Sequence, residues 1–195
     1  MTFSHLKGML MFKDESFTAV AQDDNGVINA LLIVFAVSLV VASLSYVIQH
    51  FIIIPLLESM LINIGGDVPT TTGFSPIELL TTVAAAVGIA LVGIVLYTGL
   101  VRLFSGLLGA QKGTFPEMLA VFGHAYSVRA VGFIPFVSLA SLVYFVAVSI
   151  KGLSVITGMS IGRSAAAYVI PALILTVIGI VVFVALIAYS FAAIW

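Results

Sequence analysis

Long apolar runs alternate with short polar segments along this chain. A helix needs about 20 apolar residues to cross a bilayer, and five runs approach or exceed that length, at about 27–54, 77–108, 116–134, 135–156 and 164–194. The pattern predicts an all-α fold, a polytopic membrane bundle of five transmembrane helices. Fusing 116–156 into one span gives a four-span alternative, which moves Arg163 or the tail to the other side of the membrane and fits the charge pattern less well.

Residues 1–26 differ from the remainder because charges interrupt the apolar positions. The apolar side chains recur at roughly helical spacing, at Phe3, Leu6, Met9, Leu10, Phe17 and Val20. This spacing predicts one or two short helices at the membrane interface, with a partly ordered tail as the alternative. No cleavable signal peptide is expected, since no uninterrupted apolar stretch precedes Val27.

Two sequence signatures predict where helices begin. Ser75-Pro76-Ile77-Glu78 and Thr114-Phe115-Pro116-Glu117 are both capping boxes with a proline near the helix start. Prolines also bound the other spans: the first is expected to end near Pro55, the fourth to begin at Pro135, and the fifth to bend at Pro171.

Composition agrees with this picture: 62% of the 195 residues are hydrophobic and 8% are charged, whereas a soluble domain carries about a quarter charged residues. The net charge of -1 excludes the dense basic face that nucleic-acid binding requires. No cysteine is present, which excludes disulfides, thiolate metal sites and thiol nucleophiles.

Charge also predicts orientation through the positive-inside rule. Six of the seven basic residues lie in or beside the N-terminal segment and the connections after spans two and four: Lys7, Lys13, Arg102, Lys112, Lys151 and Arg163. We therefore expect a cytoplasmic N-terminus and an outside C-terminus. Aromatic residues near that end are consistent with an interface belt, namely Tyr189, Phe191 and Trp195.

The third predicted span is the most polar and holds four candidate residues, His124, Tyr126, Ser127 and Arg129. Thirteen residues from Pro116 raise Arg129 by about 20 Å, into the outer leaflet. A buried guanidinium usually has a partner, so we expect an ion pair with Glu58 or Glu78, with snorkelling to the outer headgroups as the alternative. For His124, an interhelical hydrogen bond is favoured over metal ligation.

Helix two carries small residues, Gly88, Gly93 and Gly99 among them. Small residues allow close helix approach, so packing within the chain or between copies is predicted, with substrate passage as the less favoured reading. No catalytic motif is found, the three histidines cannot converge on one metal in this topology, and no cofactor is expected.

Two stretches carry a family resemblance. The first contains Gly113, Phe115, Leu119, Tyr126 and Ser127, and the second contains Gly152, Leu153, Gly158 and Ser160. With the five-span layout, these positions resemble the Yip1 family of membrane proteins over about Phe12 to Ile187. The chain departs from the family pattern after Tyr126-Ser127, where the family has a proline and this chain continues to Arg129.

The resemblance implies a non-catalytic integral membrane protein. Eukaryotic relatives bind Rab-type GTPases through a long cytosolic N-terminal region. About 26 residues precede the first span here, so Rab binding is not expected and the chain is similar to the short prokaryotic members. We predict a multi-pass protein of the cytoplasmic membrane that organises the membrane or binds a partner, either a membrane protein or a second copy.

Two other functions remain to be weighed. A small-solute or ion pathway would use His124, Arg129 and the bend at Pro171, and it needs a hydrated cavity lined by them. A lipid-modifying enzyme is disfavoured because no group of carboxylates or histidines gathers at one interface.

Overall fold

A computed structural model describes residues 3–63 and 74–192, and these ranges are helical with no strand. The helices are α1 (Phe3–Leu10), α2 (Asp14–Ala21), α3 (Gly26–Ile48), α4 (Ile54–Asn63), α5 (Pro76–Leu107), α6 (Phe115–Ala125), α7 (Val137–Thr157) and α8 (Ile161–Ala192). A π-helical turn, Gln49–Ile53, joins α3 to α4, and a 3₁₀ helix, Tyr126–Val131, follows α6. The predicted all-α class is confirmed.

By length and apolar composition, four helical segments within the described ranges can cross a membrane: Gly26–Met60, Pro76–Leu107, Val137–Thr157 and Ile161–Ile187. The third predicted span, 116–134, takes another form. Its α-helix ends at Ala125 and the 3₁₀ helix continues to Val131, so the expectation of an α-helix reaching Ile134 is wrong. A 3₁₀ helix rises about 2.0 Å per residue against 1.5 Å for an α-helix, so this segment gains height with fewer residues.

The first span does not stop at Pro55, as the sequence suggested. Helix continues through this proline to Asn63. Pro55 has no N–H for the carbonyl four residues earlier, and its ring clashes with that carbonyl in a regular α-helix. The π-helical turn directly before it, Gln49–Ile53, widens the helix where that clash would fall.

Helix α6 is the centre of the fold. It packs against α1, α2, α3, α5 and α7, and all eight of its residues from Met118 to Ala125 are buried. Gly123 permits the close approach of α3, because a Cβ there would lie 2.5 Å from the Cβ of Ala30 on α3. The other helices therefore enclose the element that sequence analysis placed as one span among five.

The two short N-terminal helices are present, as predicted, but they are packed on the bundle. Their side chains Met9 and Phe17 are fully buried, and α2 contacts both α6 and α7. Asp14 on α2 forms a 2.7 Å ion pair with Lys151 on α7, and the Tyr144 hydroxyl donates to the backbone carbonyl of Leu10. Sequence analysis missed this packing, because apolar residues facing a membrane surface and a protein surface have the same spacing.

Both predicted helix starts are observed. At Thr114 the capping box is complete: its hydroxyl accepts from the Glu117 N–H, and the Glu117 carboxylate accepts from the Thr114 N–H. At Ser75 only the first half forms, and the Glu78 carboxylate accepts a hydrogen bond from Tyr46. The fourth helix begins at Val137 rather than at Pro135.

Helix α8 passes through Pro171 without interruption. Pro171 is buried, whereas the side chains from Leu173 to Ile187 are exposed. This half of α8 therefore extends beyond the packed bundle. Of the predicted aromatic belt, Tyr189 is exposed, and Trp195 lies outside the described residues.

Candidate functional site

His124 lies at the buried heart of α6, with 1% of its surface exposed. Its Nδ1 is 2.6 Å from the carbonyl of Ala120, one turn earlier in the same helix. A carbonyl only accepts, so Nδ1 carries the hydrogen and Nε2 presents a lone pair. Nε2 has no hydrogen-bond partner among the described residues. The expected interhelical hydrogen bond is thus replaced by one within α6.

Tyr126, in the next turn of the chain, continues a row of polar residues that begins at His124. Ser38 on α3 donates to the Tyr126 hydroxyl over 3.3 Å, and the Tyr126 ring packs edge-on against Phe145 of α7. The neighbouring Ser127 hydroxyl is buried and unpartnered within the part of the chain that the structure describes. Tyr126 therefore links the central segment to two surrounding helices.

Arg129 is half-buried at the far end of the segment. Its guanidinium donates to the Ser138 carbonyl over 3.0 Å and to the Ser141 hydroxyl over 3.3 Å, both at the start of α7. The predicted ion pair with Glu58 or Glu78 is not among its contacts with the described residues. Arg129 instead ties the 3₁₀ helix to α7 through neutral oxygens.

Glu78 belongs to a separate aromatic cluster where α3 meets the start of α5. The Tyr46 hydroxyl lies 3.3 Å from the Glu78 carboxylate, to which it donates. His50 stacks on Tyr46 with ring centroids 4.2 Å apart, and Phe74 meets Tyr46 edge-on. Sequence analysis missed Tyr46 and His50, although their four-residue spacing places them on one helix face.

Glu58 lies in α4 and is half-buried. The structure therefore divides the predicted polar residues into two groups. His124, Tyr126, Ser127 and Arg129 follow one another along the central segment, while Glu78 joins the aromatic cluster on α3. In the described ranges, no group of three or more His, Asp or Glu residues is arranged to hold a metal ion.

The three glycines predicted to mediate packing do not approach another helix closely. A Cβ at Gly88 or Gly93 would meet nothing within 4 Å, and one at Gly99 would reach only a Phe115 ring atom at 4.0 Å. Gly152 is the tight position instead, where a Cβ would lie 2.9 Å from the Phe17 ring and closer still to Val121. Packing of Gly88 and Gly93 between copies stays a prediction.

The two motif stretches meet at one end of the bundle. Gly113 has a φ of +89°, and a Cβ there would lie 3.0 Å from Thr157 at the end of α7. Gly158 closes α7 in the left-handed conformation with a φ of +71°, and its N–H donates to the Ser154 carbonyl. Neither backbone conformation suits a residue with a Cβ, which explains glycine at both positions.

Comparison with known proteins identifies the family to which a chain with these two stretches belongs. A family model described as the Yip1 domain matches residues 7–192. The chain belongs to the Yip1 family. Neither the curated proteins nor the solved structures compared with it give a match. The match covers nearly the whole chain, so the packed N-terminal segment from Lys7 onward is part of the Yip1 domain.

A polar cavity of about 240 Å³ opens beside the meeting point of the Yip1 stretches. Its walls are α2, the turn before α6 and the last turn of α7, with Thr18, Gln22, Lys112, Gly113, Glu117 and Ile156 among the lining residues. The Yip1 domain therefore has two candidate sites. The first is the row of polar residues from His124 to Arg129, and the second is this cavity. Sequence analysis did not find it, because α2 was placed at the membrane surface.

Proposed function

We propose that this Yip1-family protein is a non-catalytic, five-span protein of the cytoplasmic membrane that binds a membrane partner through α8. The observation that carries the proposal is the exposed apolar half of that helix. Its side chains from Leu173 to Ile187 are exposed on all faces of the helix. In a packed bundle, each outer helix exposes only one stripe of its surface to lipid. The exposed half of α8 leaves its whole circumference available for contact with a partner.

The fifth crossing is the segment formed by α6 and the 3₁₀ helix. Eleven α-helical and six 3₁₀ residues rise about 28 Å together, close to the roughly 30 Å hydrocarbon core. Contacts with α3 support a crossing. Gly26 lies beside Ala120 at one end, Ser38 bonds Tyr126 midway, and one cavity is lined by both Gln49 and Gly132 at the other end.

The crossing is tested by single cysteines in this cysteine-free chain. Gln111→Cys lies before the segment and Phe136→Cys, at a residue 88% exposed, lies after it. We expect an impermeant maleimide to label Phe136→Cys on intact cells and Gln111→Cys only after permeabilisation. The parent chain must remain unlabelled. Labelling of both cysteines from one side would reject five spans and favour four.

The partner proposal is tested by cross-linking in native membranes. Gly179→Cys lies on the exposed half of α8, where a Cβ meets nothing within 4 Å. Ala167→Cys, fully buried on the same helix, is the matched control. We expect a permeant maleimide that carries a photoreactive group to cross-link only Gly179→Cys after irradiation, whether or not the partner has a cysteine, and two differently tagged copies separate a dimer from a different partner. A Gly179→Cys protein that reacts with the reagent but stays monomeric would refute the proposal.

A solute or ion pathway is the second candidate, and the central segment favours it. His124 Nε2 and the Ser127 hydroxyl are buried polar atoms with no partner among the described residues, as expected where water enters a bundle. In proteoliposomes this candidate requires potassium, chloride or proton flux that Arg129→Ala abolishes and Lys13→Ala leaves intact. Absence of flux through the parent protein would reject it.

A further inference from the structure

The polar cavity at the meeting point of the Yip1 stretches contains one positive and one negative side chain. Lys112 is exposed at its rim, and Glu117 is half-buried in its wall. Glu117 Oε2 accepts from the Thr114 N–H over 2.6 Å, so Oε1 is the oxygen left to face a ligand. The cavity thus contains a carboxylate that can bind a cation and an ammonium group that can bind an anion.

The remaining walls supply hydrogen-bonding groups. The Thr18 hydroxyl donates to the Asp14 carbonyl, which leaves its oxygen lone pairs as acceptors. Gln22, the residue that follows α2, adds a side-chain amide. Val155 and Ile156 stand in the last turn of α7, where backbone carbonyls give a helix end partial negative charge. These groups add hydrogen-bond acceptors to the Glu117 carboxylate in the lining, and Lys112 is the cationic group among the lining residues.

The cavity lies at the height of lipid headgroups. Ile156 is the second-last residue of the membrane-crossing helix Val137–Thr157, and Glu117 lies in the first turn of α6. The predicted orientation places this end of the bundle in the cytoplasmic leaflet. A volume of about 240 Å³ equals the space of about eight water molecules in bulk, which suits a headgroup and is too small for acyl chains.

We propose that this cavity binds a phosphoethanolamine group, the headgroup of phosphatidylethanolamine in the cytoplasmic leaflet. Lys112 contacts the phosphate. The primary ammonium donates to Glu117 Oε1, to Thr18 and to the carbonyls at the end of α7. Three N–H donors distinguish this ammonium from the quaternary ammonium of choline, which has none. The proposal needs the chain in a membrane but does not depend on a protein partner for α8.

Binding is measured by isothermal titration of the full-length protein in detergent with short-chain phosphatidylethanolamine. Short-chain phosphatidylcholine and phosphatidylglycerol serve as comparison lipids, and free phosphoethanolamine as the soluble headgroup. We expect phosphatidylethanolamine to bind at least about tenfold more tightly than either comparison lipid. Binding of free phosphoethanolamine would assign recognition to the headgroup alone, and binding of the lipid only would assign it to a headgroup held at the membrane. Equal affinity for all three lipids would overturn the proposal.

Four variants identify the residues involved. Lys112→Gln and Glu117→Gln remove one charge each, and the second retains the capping box because glutamine also serves at that position. Lys13→Gln and Glu78→Gln change exposed charges that do not line the cavity and are the controls. We expect about tenfold weaker binding for each cavity variant and unchanged binding for the controls. Equal affinities for cavity variants and parent would show that the lipid binds elsewhere.

Discussion

The fit of Phe17 against α7 makes Gly152 the position where one added methyl group has the largest informative effect. A Cβ at Gly152 would lie 2.9 Å from Phe17 Cδ1 and would overlap Val121. Overpacking of this kind costs about 1–3 kcal/mol. Replacing a helical glycine with alanine gains about 1 kcal/mol. We therefore expect Gly152→Ala to lower the free energy of unfolding by about 0–2 kcal/mol.

The matched control is Gly179→Ala in the exposed half of α8, where an added Cβ meets nothing within 4 Å. It has the same gain in helix propensity without the overlap. We expect the two variants to differ by about 1–3 kcal/mol. In a chain of this size, 1 kcal/mol shifts the melting temperature by about 2–4 °C, so thermal unfolding in detergent separates them by about 2–12 °C.

A second substitution tests the cause. Val121→Ala removes the methyl groups nearest to the new side chain, so Gly152→Ala should be less harmful in that background. The expected coupling energy is about 0.5–3 kcal/mol in a double-mutant cycle. Equal melting temperatures for Gly152→Ala and Gly179→Ala would refute the close packing of α7 against α2 and α6 at Gly152, and strict additivity with Val121→Ala would refute the contact between α6 and α7.

Three further expectations can be checked by unfolding in detergent. Gly123→Ala should lower the free energy of unfolding by about 0–2 kcal/mol, because overlap of its Cβ with Ala30 at 2.5 Å costs about 1–3 kcal/mol and helix propensity returns about 1 kcal/mol; a variant more stable than the parent would contradict the close approach of α3 and α6. Tyr46→Phe should cost about 0.5–1.5 kcal/mol because Glu78 loses a donor, and the same loss in a Glu78→Ala background would exclude that contact as its cause. Asp14→Asn should cost less than about 1 kcal/mol, as for exposed ion pairs, so a larger loss would show that the pair is strongly coupled to the core.

The presence of the long helices was predictable, because long apolar runs are the strongest sequence signal for membrane-spanning helices. Four of the five predicted spans correspond to long helices, and the caps at Ser75 and Thr114 stand where their hydroxyls predicted. Helix ends were harder to place. The π-helical turn before Pro55 lets the helix continue past a residue type that usually ends it. The 3₁₀ helix after Ala125 is held by contacts with Ser38, Ser138 and Ser141 on other helices, which local residue types do not specify.

The candidate site was predictable in residue type but not in partners. A membrane chain has apolar side chains facing both lipid and neighbouring helices, so the pattern does not reveal which face is buried. Gly88 and Gly123 look alike in sequence, yet the first is open and the second touches Ala30. For the same reason, Arg129 was assigned a carboxylate partner, whereas its contacts with the described residues include oxygens of Ser138 and Ser141.

The enclosure of α6 by five other helices bears on how the chain is assembled. The α6 segment is short, and the turn that follows it carries Arg129, so it is a poor candidate for independent entry into the bilayer as it emerges from the ribosome. Its entry depends on helices already inserted before it and on α7 arriving after it. We therefore expect membrane insertion of this protein to be cooperative rather than sequential, with the α6 segment reaching its final position last.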